Sequence, residues 1–248
     1  MKKQNLVLLP GYDGNSKVTF AELSNMLTTQ YQCFQINYPC LHQTDRAYTH
    51  DELIEHIYRQ VTKLRLNNFH LLGFSLGGII GTGFLNQHRK LVKTFILISS
   101  SPTLQASLFY RFPIYCSHFA FKAPILAKLF TYIYRSPRLT WITSKLPLPA
   151  PAPDFPIDQG YPLFSTLANV LYSNFHLPVL KQLSQVPIPK YSLLFHDDKS
   201  FPANTYLPLQ SQLGFKVQTS QHGGHANSND YWQQVAEFIK KELQYPYV

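Results

Sequence analysis

Ser75 stands in the run Gly73-Phe74-Ser75-Leu76-Gly77-Gly78, between a stretch that reads as a buried strand (residues 69–73) and one that reads as a helix, Leu76 to about His88. A serine among small residues on a strand-to-helix turn has its hydroxyl raised above the sheet, where it can act as a nucleophile. The helix that begins beside it offers the positive end of its dipole to a developing oxyanion. Such a hydroxyl needs a base, and the base needs an acid to orient it. On a scaffold of this kind the acid follows a later strand and the histidine comes last in the chain. Asp197 and Asp198 follow the strand-like residues 191–195, and Gln221-His222-Gly223-Gly224-His225 follows the next strand. His225 is the expected base because Gly223-Gly224 provides the tight turn before it, with His222 the alternative. Asp198 is the expected acid and Asp197 the alternative, since adjacent side chains point in different directions. The backbone N–H groups of Leu76 and of Tyr12, in the loop after the first strand, are the expected oxyanion hole. The spacing Gly78-x-x-Gly81-x-Gly83 is not a dinucleotide loop. It falls inside the helix, where small residues permit close packing on the sheet.

These residues need a frame to position them, and the hydrophobic pattern describes one. Residues 5–9 (NLVLL) are a short apolar run stopped by Pro10-Gly11, as in a buried parallel strand. Residues 20–30 read as an amphipathic helix and residues 32–38 as an alternating strand ending at Pro39. Thr49-His50-Asp51-Glu52 is a capping box that opens a helix with Leu53, Ile54, Ile57, Tyr58, Val61 and Leu64 on one face. Strands follow at 69–73, 95–98, 191–195 and 215–217, and a final helix runs from about Ser228 to Leu243. Strands alternating with helices predict an α/β domain with a mostly parallel sheet of about six strands, covered on both faces. The rhythm breaks after Ser101. Residues 102–188 are dense in proline and aromatics, and so long a stretch is expected to be a folded insertion. The core is then 1–101 and 189–248.

The chain has 248 residues, with 45 % apolar and only 14 % charged residues, a composition that excludes disorder and coiled coil. No apolar run approaches ~18 residues, so no membrane-spanning helix is expected. The apolar stretch behind Met1-Lys2-Lys3 stops after four residues and no small-residue cleavage site follows, which reads as a strand and not a signal peptide. Cys33, Cys40 and Cys116 show no metal-ligand spacing, and neither metal nor cofactor is implied. They read as buried small hydrophobes in a reducing, cytoplasmic compartment. The net charge of +9 is unevenly placed: between Glu55 and Asp154 lie twelve basic residues and no acidic one. Such a field attracts an anionic partner, either a phospholipid surface or an acidic carrier protein. With no phosphate loop, zinc-finger spacing or RNA-binding motif, nucleic acid is excluded.

Taken together, these motifs resemble the α/β-hydrolase superfamily along nearly the whole chain outside the insertion. Leu9-Pro10-Gly11-Tyr12-Asp13-Gly14 looks like that family's oxyanion loop, Gly73 to Gly78 like its nucleophile elbow, and Gly224-His225 like its histidine turn. Asp198-Lys199-Ser200-Phe201-Pro202 resembles the family's D-x-x-x-P acid loop, which favours Asp198 over Asp197. The family's first antiparallel hairpin is missing. Within the superfamily, Phe74 to Gly78 and Ser99-Ser100-Ser101-Pro102 are similar to the carboxylesterases of biotin synthesis, which cleave the methyl ester of pimeloyl-acyl carrier protein. The loop after Tyr38-Pro39 departs from that group's GFGRS-like sequence. The insertion at 102–188 falls where the family carries its lid, so the resemblance implies a helical lid whose aromatics supply an apolar tunnel. It also implies a serine carboxylesterase whose basic lid docks the acidic carrier, with Arg111, Lys122, Arg135 and Arg138 as carrier- or substrate-binding residues. A lipase, lysophospholipase or thioesterase at an anionic membrane, an acyltransferase, and a non-catalytic binding protein are the alternatives.

Overall fold

The structure is a computed structural model. It describes residues 3–12, 14–39, 47–104, 160–176, 179–226 and 228–243, together with 114–116, 118, 119, 123, 125, 126, 129 and 132. Arg111, Lys122, Arg135 and Arg138 lie outside the described residues, as does Cys40.

Six strands form one sheet: β1 (Gln4–Leu9), β2 (Tyr31–Gln35), β3 (Phe69–Phe74), β4 (Val92–Ile98), β5 (Lys190–Phe195) and β6 (Lys216–Ser220). Their order is β2-β1-β3-β4-β5-β6, and each pairing is parallel. The strands β3 and β5 are buried along their whole length, as strands inside a parallel sheet covered on both faces must be.

Strand periodicity assigns the two faces. Leu6, Leu8, Leu72, Phe74, Ile96, Ile98, Leu193 and Phe195 face α2 (Ala21–Leu27) and the C-terminal helix Tyr231–Leu243. That last helix presents Tyr231, Val235, Phe238, Ile239 and Leu243 to the core, the spacing of one helical stripe. On the other face lies α4 (Leu76–His88), whose Gly81 abuts the side chains of Leu9 and Phe95. The capping box opens α3 (His50–Lys63) as the sequence predicts: Thr49 N–H donates to the Glu52 carboxylate at 2.8 Å and Glu52 N–H to the Thr49 hydroxyl at 3.2 Å.

The chain divides into two compact units, one of Met1–Tyr38, Ile54–Gln105 and Pro178–Val248, the other of Pro39–Leu53 and Ala106–Leu177. The second unit contains α5 (Gly160–His176), and α6 (Val179–Ser184) belongs to the first. Within the second unit, His118 stacks on Tyr172 at 3.9 Å and Tyr115 meets Tyr172 edge-on at 5.3 Å. Thr166 and Asn169 of α5 bond the backbone N–H and carbonyl of Tyr48.

Two short helices escape the sequence pattern, α1 (Ser16–Thr19) and α7 (Ala203–Gln212); the C-terminal helix is α8. Pro208 inside α7 argues against a helix, since it removes one N–H from the ladder. It is tolerated because Pro208 and Asn204, whose carbonyl loses its donor, both face solvent. The cysteines also differ from expectation, for Cys116 is exposed and Cys33 only half-buried. Among the described residues no helix is long and apolar enough to cross a membrane.

Several polar groups are buried among these apolar side chains, an imidazole among them. His70 on β3 is buried, bonded through Nε2 to Gln4 Oε1 at 2.8 Å, and Lys93 Nζ lies 3.0 Å from the same oxygen. Burial first, and the Lys93 charge second, push its pKa down to about 4. The unfolded chain binds a proton below its ordinary pKa and the folded chain does not. Stability should therefore fall as pH drops from about 6.5 to about 4, by on the order of 3 kcal/mol. Urea denaturation of His70→Gln across that window should show a clearly shallower pH dependence than the parent. His56 and His88, also depressed by burial, keep a residual slope in both.

Candidate active site

The strand order reverses between β1 and β3: β1 leads on to β2 on one side, and β3 leads on to β4 on the other. Loops leaving two such strands diverge and open a crevice beyond their carboxyl ends. Leu9 is in register with Gly73, so the loop after β1 and the turn after β3 emerge side by side. Ser75 is that turn.

Its backbone is held at φ 52°, ψ −123°, a left-handed φ that few non-glycine residues adopt. The fold pays for this with specific bonds. Ser75 N–H donates to Ile98 O at 3.1 Å, and its carbonyl accepts from Gly78 N–H at 3.0 Å and from the Ser100 hydroxyl. Gln210 of α7, fully buried, donates in turn to Ser100 O at 2.8 Å. The glycines around Ser75 are required by close approach. A Cβ on Gly77 would strike the carbonyls of Leu9 and Pro10, and one on Gly78 the Ser100 side chain.

The three side chains predicted to act together meet. Ser75 Oγ lies 2.8 Å from His225 Nε2, and His225 Nδ1 lies 2.9 Å from Asp198 Oδ2. The carboxylate can only accept, so Nδ1 carries the proton and Nε2 is left to accept from the serine. The other Asp198 oxygen accepts from Ser200 N–H at 2.7 Å and Phe201 N–H at 2.9 Å. Asp198 is 1 % exposed, so these bonds fix an ion in a site shielded from water. The alternatives lie elsewhere: the His222 side chain is 89 % exposed, and the Asp197 carboxylate turns to the backbone of Gly223 and Gly224.

Aromatic rings hold the imidazole in place. Phe74 packs on it with ring centres 5.2 Å apart and Phe201 stacks from another side at 5.9 Å. Phe74 is itself wedged against Phe20, Trp232 and Tyr231. The Tyr231 phenol is buried, donates to Ser99 Oγ at 2.7 Å, and is pushed well above its ordinary pKa by that burial.

Leu76 is the first residue of α4, so its N–H has no acceptor within the helix. Tyr12 follows Gly11, whose Cβ position would be 3.4 Å from Ser75 Cβ. The Tyr38 hydroxyl, bonding Pro10 O at 3.3 Å, and the Tyr38 N–H, bonding Gly14 O at 3.0 Å, brace this loop. Sequence reasoning missed Ser100, Gln210, Tyr231 and the second role of Phe74. The Ser99-Ser100-Ser101 run directly after β4 was the available signal for the first of these. Among the described residues no cluster of His, Cys, Asp and Glu could hold a metal ion.

A family model described as the alpha/beta hydrolase fold matches residues 4–120. Solved structures agree over the full length. An alpha/beta hydrolase enzyme from a Medee basin deep-sea metagenome library superposes with TM-score 0.71 at 13 % identity, covering 100 % of this chain and 92 % of its own. An esterase from Exiguobacterium antarcticum gives 0.66 at 18 %, covering 98 % and 93 %, and the enol-lactonase from Burkholderia xenovorans 0.72 at 11 %, covering 99 % and 93 %. No curated protein matches the sequence significantly. The chain has the α/β-hydrolase fold.

The contact between Gly78 and Ser100 makes a paired prediction. Gly78→Ala should destabilise the protein by about 1–3 kcal/mol through overpacking. Adding Ser100→Gly, which removes the nearer of the two obstructing side chains and leaves Leu97, should return part of that loss. A double-mutant cycle read by chemical denaturation checks it, with strict additivity as the contrary result.

Proposed function

We propose that this protein is a serine carboxylesterase. The observation that carries the reading is the continuous hydrogen-bond chain from Ser75 Oγ through His225 to Asp198. In this mechanism Ser75 Oγ attacks the ester carbonyl as its proton passes to His225 Nε2. The oxyanion is met by the N–H groups of Leu76 and Tyr12, a type of contact worth about 3–4 kcal/mol per donor in the transition state. The imidazolium then protonates the departing alkoxide, leaving an acyl-enzyme and a free alcohol. Water, activated by the same imidazole, releases the acid and restores the serine. Asp198 keeps the ring in its Nδ1–H form and stabilises the positive charge.

For the substrate we read an apolar acyl ester, the methyl ester of a pimeloyl group on acyl carrier protein being the specific candidate. The uninterrupted basic stretch from residue 56 to 153 supports an acidic carrier as partner. A second reading, a lipase or lysophospholipase at an anionic membrane, is supported by apolar side chains exposed in the same stretch, Ile125 at 81 % and Tyr132 at 67 % among them.

Ser75→Ala should lower turnover of a short-chain ester at least ~10⁴-fold while circular dichroism is unchanged; turnover retained by that variant would sink the mechanism. The substrate reading is tested by comparing a methyl-ester dicarboxylyl chain on acyl carrier protein with the same ester free in solution, each at low and high salt. A preference for the carrier-bound ester that weakens as salt rises is expected. Equal rates remove the carrier, and faster turnover on anionic vesicles would favour the lipase. Acyl transfer to an added alcohol in place of water would mark an acyltransferase.

A further inference from the structure

The sequence sets two carboxylates side by side after β5, and the structure sends them to different parts of one target. Asp198 takes the His225 ring. Asp197 takes the backbone one and two residues earlier: Oδ1 accepts from Gly224 N–H at 2.8 Å and Oδ2 from Gly223 N–H at 3.2 Å. One carboxylate thus spans two consecutive amides of a turn that lies 26 and 27 positions further along the chain. The Gly224 N–H, with that of Gly223, holds the Asp197 carboxyl below the usual carboxylate range, so it is anionic at neutral pH. His222 Nδ1 lies 3.9 Å from Oδ2.

The rest of the turn is lightly held. The His222 carbonyl accepts from Ser220 Oγ at 3.3 Å and Gln234 Nε2 at 3.1 Å. Gly223 presses so closely on the Phe195 ring that a Cβ there would overlap it. That close fit seats the turn against the end of β5 but gives it no directional bond. Phe74 and Phe201 limit the tilt of the imidazole without fixing its position along their faces. The Asp197 bonds supply that missing coordinate.

We propose that Asp197 is a positioning residue for His225: it clamps the backbone of the histidine turn and so sets the imidazole between Ser75 and Asp198. This rests on reading those three residues as the catalytic triad. Asp197 itself touches neither substrate nor a reacting atom. Its loss should act on proton transfer, because a misplacement near 1 Å in such a site can cost ~10²-fold in rate.

The test compares Asp197→Ala and Asp197→Asn with the parent, counting active sites with a fluorophosphonate that labels only an activated serine. Asp197→Ala should lower kcat per titrated site and the labelling rate by about 10- to 100-fold, with KM within about twofold. Asp197→Asn retains one acceptor oxygen and should fall between. In parallel, the low-field NMR proton of His225 Nδ1–H should broaden or shift in Asp197→Ala and less so in Asp197→Asn. A variant that merely folds less well, but turns over normally per titrated site, would overturn the proposal. So would a change confined to KM. Should the parent fail to label at Ser75, the esterase reading falls and the NMR signal decides positioning by itself: an unchanged resonance rejects it, a disturbed one supports it.

Discussion

Everything at this site depends on how closely the start of α4 approaches the end of β1. The Gly77 backbone lies directly against the Leu9 and Pro10 carbonyls, and only a residue without a side chain allows that. The approach has two effects. It forces the turn at Ser75 into its positive φ, lifting the hydroxyl off the sheet, and it sets the loop carrying Tyr12 beside the first N–H of the helix. The candidate nucleophile and both candidate oxyanion donors are thereby positioned by one backbone contact, before any candidate acid or base is considered. The strain this stores is balanced locally by the Ser100 and Gly78 bonds to the Ser75 carbonyl. Ser100 is anchored in turn to α7 through Gln210.

The remaining partners come from strands on the other side of β4, and their placement is a separate problem with a separate solution. Asp198 and His225 lie on loops that follow β5 and β6, which are themselves paired in register from Tyr191↔Lys216 to Phe195↔Ser220. Parallel pairing brings the two loops out at the same edge, but loops are the least constrained parts of a sheet protein. Here they are tied by a buried charge-assisted bond on the ring and by two bonds on the turn's backbone. Aromatic packing from Phe74 and Phe201 covers the imidazole faces, so the His225–Asp198 bond acts in surroundings less polar than water.

Much of this arrangement was legible in the residues alone, where one position must satisfy a sharp local demand. The glycines at 73, 77 and 78, the Gly223-Gly224 pair and the capping box at Thr49 each answer a steric or hydrogen-bonding need that few residue types can meet. The sheet was legible for a similar reason, because strands buried on both faces leave few choices of side chain. What the pattern missed was decided by tertiary context. The helix α7 carries a proline whose cost is removed only because that face is wet. Cys116 is exposed where composition suggested burial. The residue between Gly73 and Ser75 is unconstrained in the motif, so nothing in the sequence showed that Phe74 packs on His225.

Phe74 also shows how core and site share one set of contacts. Strand alternation points it into the layer formed by Phe20, Tyr231 and Trp232, while its ring reaches His225. Burial of such a ring is worth roughly 1.5–3 kcal/mol to folding, so packing of α2 and α8 against the sheet also seats the imidazole. Tyr231, at the start of α8, extends the same layer to Ser99 beyond β4. The helix following the histidine turn is thus bonded to the loop following the central strand. The faces of the imidazole are framed by elements that cannot shift without disturbing the core, and the tilt of the ring inherits its rigidity from the packing of the sheet.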